Sequence, residues 1–178
     1  MADLTTRVEA TEAASEDILY IIKNPSTTKD DRKITKENFL SIVAINSSPT
    51  ADLTVSGAVS SVTVGEDVAI GDVLYIKNDG KYWIVDASLY ITMPGVVMAT
   101  TSISADAAGL VLNSGYLRND LYSFTLGALL YSTVTGTTGN TFSETAPSVT
   151  GEQVQVLGYA VAATIIYFNP DLTIVEIP

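Results

Sequence analysis

The chain contains no cysteine and no histidine. That inventory removes disulfide scaffolds, Cys/His zinc sites, thiol nucleophiles and Ser-His-Asp triads. Carboxylates, hydroxyls and a few amines are what remains for chemistry. Positive charge is scarce as well: 9 Lys and Arg stand against 20 Asp and Glu, giving a net charge of -11 and an isoelectric point near 4.1. Neutralising phosphate takes clustered cations, so neither nucleic acid nor an anionic membrane surface is expected as a partner. The opening Met1-Ala2-Asp3-Leu4-Thr5-Thr6-Arg7 lacks a basic segment followed by an apolar core and does not read as a secretory signal. The longest apolar run, Val154 to Phe168, is interrupted by Gln155, Gly158 and Thr164 and is shorter than the roughly 20 residues of a spanning helix. A soluble protein made in a cytoplasm is the expectation.

With 178 residues, 47% of them hydrophobic, the chain can build one moderate core plus a smaller module. Charge marks the division. Residues 1–46 hold 6 of the 9 basic residues and 8 of the 20 acidic ones. The cluster Asn46-Ser47-Ser48-Pro49-Thr50 follows, rich in turn formers. The predicted organisation is an N-terminal module over 1–46, a linker over 47–52 and a β domain over 53–178.

In the first part, Asp17-Ile18-Leu19-Tyr20-Ile21-Ile22-Lys23 is a strand candidate. A long turn-rich tip through Asp31 and a return strand at Arg32-Lys33-Ile34-Thr35 complete a hairpin. Thr35 sits where a helix N-cap belongs, with Glu37 in the first turn and Phe39, Leu40, Ile42 and Val43 as an apolar face. The Ala- and Glu-rich stretch from Glu9 to Ser15 is a further short helix candidate. A hairpin and a short helix bury little by themselves, so this module needs a larger partner.

From Leu53 onward short β runs alternate with turns, which predicts an all-β barrel or sandwich. Two stretches nearly repeat. Gly71-Asp72-Val73-Leu74-Tyr75-Ile76 returns as Gly127-Ala128-Leu129-Leu130-Tyr131-Ser132, and Pro94-Gly95-Val96-Val97-Met98-Ala99 has an echo in Leu157-Gly158-Tyr159-Ala160-Val161-Ala162. One strand-turn-strand unit therefore occurs twice. Lys77-Asn78-Asp79-Gly80-Lys81 is the clearest hairpin turn, because Asn, Asp and Gly tolerate positive φ, and Thr137-Thr138-Gly139-Asn140 is its counterpart. The last run, Leu172 to Ile177, is apolar on both phases and calls for a neighbour, from its own sheet or another subunit.

The hairpin, its Lys33-Ile34-Thr35 return and Asn38-Phe39-Leu40 resemble a module of bacteriophage virion proteins. The second part resembles the C-terminal domain of phage head-fibre and tail-fibre proteins. The matching residues are the strand Val111 to Arg118, then Phe124 with Gly127 to Tyr131. Pro147 and Gly151 follow, before Val154-Gln155-Val156-Leu157-Gly158 and the ending Ile166-Tyr167-Phe168-Asn169-Pro170. The resemblance implies a virion structural protein and a homotrimer, held to capsid, portal, collar or tail proteins, with no enzymatic activity and no cofactor. No long fibrous shaft is present, so a short spike, collar or capsid decoration suits the length better.

Candidate sites follow from residue type. Arg7, Lys23, Lys29, Arg32, Lys33 and Lys36 form the one basic concentration, either a docking surface for an acidic partner or a solvated hairpin. Trp83 and Tyr122, with Tyr82 and Tyr116, are candidates for stacking on host glycans, against the plainer reading of cross-strand packing. The carboxylate pairs Asp30 with Asp31, Glu66 with Asp67 and Asp72 with Asp86 would be needed for a depolymerase, and adjacent acids in turns are more often solvated surface. Asn78 and Asp79 lack the loop of alternating oxygen ligands that a cation site uses, so no metal is assigned.

Overall fold

β-branched and aromatic residues become strands wherever the sequence gathers them between turn formers. The computed structural model describes residues 18–22, 31–35, 45–139 and 141–178. The chain divides into two units, Met1–Ala44 and Ile45–Pro178. In the first unit, β1 (Ile18–Ile22) and β2 (Asp31–Thr35) form an antiparallel hairpin that pairs Ile18 with Thr35 and Ile22 with Asp31. The helices expected over 9–15 and after Thr35 lie outside the described residues.

The second unit is built from β3 (Thr54–Thr63), β4 (Val73–Ile76), β5 (Tyr82–Ile84), β6 (Val97–Ala99), β7 (Ala108–Arg118), β8 (Leu129–Ser132), β9 (Phe142–Ser143), β10 (Gln153–Val154), β11 (Val156–Ala162), β12 (Ile165–Phe168) and β13 (Val175–Glu176). All except β10 and β13 join one antiparallel sheet, in the order β5-β4-β6-β7-β12-β11-β8-β9 with β3 added on β7. The sheet curls into a half-barrel. Residues 47–52 belong to this unit: Pro49 is buried and its carbonyl accepts from Arg118, while Asp52 Oδ1 accepts from the Asp120 N–H at 2.7 Å.

The internal repeat covers far more than the two motifs seen in the sequence. Ala69-Ile70-Gly71-Asp72 and Thr125-Leu126-Gly127-Ala128 are the same tight turn, closed by Asp72 N–H to Ala69 O (3.1 Å) and Ala128 N–H to Thr125 O (3.0 Å). Gly71 and Gly127 take φ of 91° and 81°, which a Cβ would oppose. After the turn, Gly71 N–H donates to Ala99 O and Ala99 N–H to Asp72 O. Gly127 N–H and Ala160 N–H make the same two bonds to Ala160 O and Ala128 O. Cross-strand pairs correspond as well. Val73 faces Met98 as Leu129 faces Tyr159, Met98 faces Leu112 as Tyr159 faces Tyr167, and Ala99 faces Val111 as Ala160 faces Ile166.

Each repeat is therefore a five-stranded unit. The first comprises the end of β3, then β4, β5, β6 and the start of β7. The second comprises the end of β7, then β8, β9, β11 and β12. Strand β7 serves both: β3 runs along one of its edges from Thr63–Ala108 to Thr54–Arg118, and the other edge is divided between β6 at Val111–Leu112 and β12 at Gly115–Arg118.

Where that edge changes hands, β7 carries an extra residue. Ala58 pairs with Ser114 and Val59 with Leu112, leaving Asn113 as a bulge. One inserted residue reverses which side chains point to which face. Leu112 and Leu117, on opposite sides of the bulge, consequently enter one core, each at 0% exposure. The ribbon bends here at two facing glycines. A Cβ on Gly57 would stand 2.2 Å from Ser114 O, and one on Gly115, at φ 145°, would stand 2.4 Å from Ser56 O.

Two cores result, on opposite faces of the first repeat. Leu74, Val97, Ala99 and Val111 pack with Val64, Val68, Ile84 and Ile103. Their sequence neighbours Val73, Tyr75, Met98 and Leu112 point the other way, into a larger core with Leu117, Leu130, Leu157, Ile166 and Phe168 of the second repeat. Burial of each such aliphatic side chain stabilises the fold by about 1.5–3 kcal/mol.

Several strand bounds differ from the sequence expectation. The run Val154 to Phe168 falls in three strands, broken at Gln155 between β10 and β11 and again where Ala163 and Thr164 turn the chain. Leu53–Ser56 and Val59–Val64 fuse into one strand, since Gly57 is needed inside the ladder instead of ending it. The C-terminal run contributes only Val175–Glu176, paired with Gln153 and Val154 of the same chain. The echo of 94–99 is displaced by two residues, the structural equivalent of Ala99 being Ala160.

Candidate functional site

Asp72, fully buried, is the most enclosed carboxylate among the described residues. It follows the turn glycine and so points from the first repeat toward the β8–β9 hairpin of the second. Oδ2 accepts from Ala69 N–H at 2.8 Å and from the Thr138 hydroxyl, and Oδ1 accepts from Gly139 N–H at 2.7 Å. Thr141 stands beside it, its hydroxyl accepting from Val73 N–H at 3.0 Å. Gln155 is a second stitch between repeats: Nε2 donates to Gly95 O (2.8 Å) and Asp171 O (2.7 Å), while Oε1 accepts from Gly95 N–H (2.8 Å). Every buried side-chain nitrogen and oxygen among the described residues has a partner. The arrangement is a clamp, since three donors converge on a carboxylate already committed to them.

The other paired carboxylates also hold backbone. Glu66 accepts from Ile84 N–H at 2.9 Å, Asp67 from Ala105 N–H at 2.7 Å and Asp86 from Ser88 N–H at 2.9 Å. Asp31 lies on β2 opposite Ile22, and Asp30 is outside the described residues. Among the described residues no group of three or more carboxylates is placed to hold a metal ion, and no helix is long and apolar enough to cross a membrane.

Trp83 lies on β5 opposite Tyr75, against Gly65. Its Nε1 donates to Asp79 Oδ2 at 3.1 Å, and the Lys77 ammonium sits 4.1 Å from the ring centre. Tyr122 is instead part of an aromatic cluster, its ring 5.1 Å from Phe124 and 5.6 Å from Phe142. Burial, together with the negative charge of Asp72, pushes its hydroxyl pKa up to about 12, against a hydrogen bond with Asn119 that favours ionisation. Trp83 and Tyr122 thus occupy different elements, each engaged by groups of this chain. Of the six basic candidates, Arg32 and Lys33 fall on β2, opposite Ile21 and Tyr20; Arg7, Lys23, Lys29 and Lys36 are outside the described residues.

Tyr116, named above as a stacking candidate, instead joins an aromatic row on the sheet, the cross-strand packing weighed against that role, while Tyr159 and Tyr167 are not singled out for stacking by the sequence. Leu129, Tyr159, Tyr167, Tyr116 and Ser56 stand opposite one another in that order across β8, β11, β12, β7 and β3. Tyr159 and Tyr167 have ring centres 5.4 Å apart, and Tyr167 and Tyr116 4.9 Å. Leu129 and Tyr159 remain 47% and 42% exposed. Single tyrosines within three apolar strands are the available signal, and it becomes legible only once the register is known.

Compared with protein-family models and with curated proteins, the chain matches none.

Proposed function

We propose that this protein is a structural component of a bacteriophage virion, a head fibre, collar or tail fibre part or a capsid decoration, that works by assembly and attachment. Copies of the β unit associate about a threefold axis, and residues 1–46 present their basic side chains together to a capsid, portal, collar or tail protein. Three docking modules held in one ring gain avidity over a single one.

The observation that carries this reading is where the fibre-like motifs fall. Val111 to Arg118 lies within β7, Gly127 to Tyr131 is the tight turn and β8, Val154 to Gly158 spans β10 into β11, and Ile166 to Pro170 is β12 and its exit. The ordered string of motifs thus falls on four of the five strands of the second repeat, β7, β8, β11 and β12, with β9 outside it. A glycan-binding role around Trp83 and Tyr122 has less behind it, because Asp79 and Lys77 occupy the first ring and Phe124 and Phe142 pack the second.

The test is recovery of the chain in purified particles, by mass spectrometry and by immunogold labelling with antibody against residues 45–178. Stoichiometric presence on the particle surface is expected. Recovery in the host lysate alone, with particles free of it, overturns the reading.

A further inference from the structure

The two repeats are built alike and buried differently. Val73, Met98 and Leu112 of the first are 0%, 1% and 0% exposed. Their equivalents in the second are Leu129 at 47%, Tyr159 at 42%, and Tyr167, half-buried. Ile70 at the first turn packs on the larger core, whereas Leu126 at the same place in the second turn is 73% exposed. Tyr75 is buried and its counterpart Tyr131 half-buried. The same face of the same fold is closed in one repeat and open in the other.

In the first repeat that face is closed by apolar side chains of this chain itself, Leu117, Leu130, Leu157 and Phe168 among them. We infer that the corresponding face of the second repeat, centred on Leu126, Leu129, Tyr159 and Tyr167, is the contact by which one copy of this protein packs against another, continuing between subunits the interface already present between repeats. This rests on the self-assembly proposed above and names the surface that carries it. Two features point to another copy as occupant. The face repeats a surface for which this chain already supplies the apolar cover. The row from Ser56 to Leu129 also bears no ionisable carboxylate or amine, in a chain of net charge -11. Identical acidic chains can therefore meet along that row without apposing like charges, the Glu144 carboxylate beside Leu126 being engaged by the Thr125 N–H. Exposed aromatic side chains over an aliphatic base are the usual make-up of the centre of such a contact.

The test uses the full-length protein and its mass in solution, measured by sedimentation across a concentration series. Wild type is expected to assemble. Leu129→Glu and Tyr159→Glu are expected to weaken assembly by about 100-fold or more, as loss of a central anchor does. Ile91→Glu, at an 82% exposed position on the Tyr90–Thr92 turn, is expected to assemble like wild type. Circular dichroism verifies the fold of each variant, and Leu129→Ser and Tyr159→Ser replace any glutamate variant that loses its β spectrum. If wild type and the Leu129 and Tyr159 variants assemble equally, the surface is wrong while self-assembly stands. If wild type remains a monomer at about 100 micromolar, the self-assembly beneath the inference fails as well.

Discussion

Met98 and Tyr159 occupy one position in two versions of the same five-stranded unit, and the first is 1% exposed where the second is 42%. The turn, its hydrogen bonds and the strand pairs on either side of these two residues correspond between repeats, so the local backbone does not account for the difference. It lies in what covers the strands. Where the first repeat has Val73, Met98 and Leu112 beside the buried Tyr75, as suits a surface sealed from water, the second has Leu129, Tyr159 and Tyr167, and the tyrosine hydroxyls tolerate solvent while their rings retain apolar area. The comparison also shows how one chemical need is met twice. The N–H that opens the turn is capped by Asp72 at Ala69, and by Glu144 at Thr125, where Ala128 has replaced the aspartate.

The largest test of this contrast is truncation on the two faces. Leu112→Ala is expected to cost about 3 kcal/mol in urea denaturation of the dilute protein, through lost transfer and a residual cavity. Tyr159→Ala, at the open face, is expected to cost under about 1 kcal/mol under the same conditions. Equal losses would mean that the second face is closed within the single chain. Next comes the bulged backbone. Gly158 sits at φ 148°, where a Cβ would stand only 1.9 Å from Tyr167 O, whereas its equivalent in the first repeat is Val97. Gly158→Ala is expected to destabilise by about 2–3 kcal/mol, read from the denaturation midpoint.

Asp72→Ala removes the acceptor of three donors and should cost about 2 kcal/mol, more than Glu144→Ala at the partly exposed counterpart. A similar effect is expected from Tyr122 at high pH. Its folded pKa lies above the ordinary value of 10, so the folded state holds a proton that the unfolded chain has lost. The resulting stability is fully present below pH 10 and is lost as pH rises toward 12, by on the order of 2 kcal/mol. Tyr122→Phe should lack that decline in denaturation curves recorded between pH 9 and pH 11.5. Smallest of all is Lys81→Met. Its pair with Asp106, at 2.6 Å, is open to solvent, and breaking it is expected to leave the midpoint unmoved.

Much of the fold is legible in the sequence because the signals are local. Gly71 and Gly127 mark turns that demand positive φ, and Asn78-Asp79-Gly80 marks a hairpin whatever surrounds it. The limits of that reading are equally physical. Gly57 looks like a strand breaker until Gly115 is found facing it, and Asn113 gives no hint that it reverses the facing of β7. Sequence alone offers Asp72 as one half of a carboxylate pair with Asp86, because its true partners, Thr138 and Gly139, stand more than sixty residues away. The tyrosine row is visible residue by residue, as Tyr116, Tyr159 and Tyr167, but its alignment depends on the register of four neighbouring ladders.

Strand β7, finally, closes one repeat and begins the next in a single strand, bulged at Asn113 where it passes between them. No hinge separates the halves, so a pull on one is borne by hydrogen bonds belonging to the other. Under mechanical load along the chain the two halves are therefore expected to give way together, as one force peak in a pulling experiment.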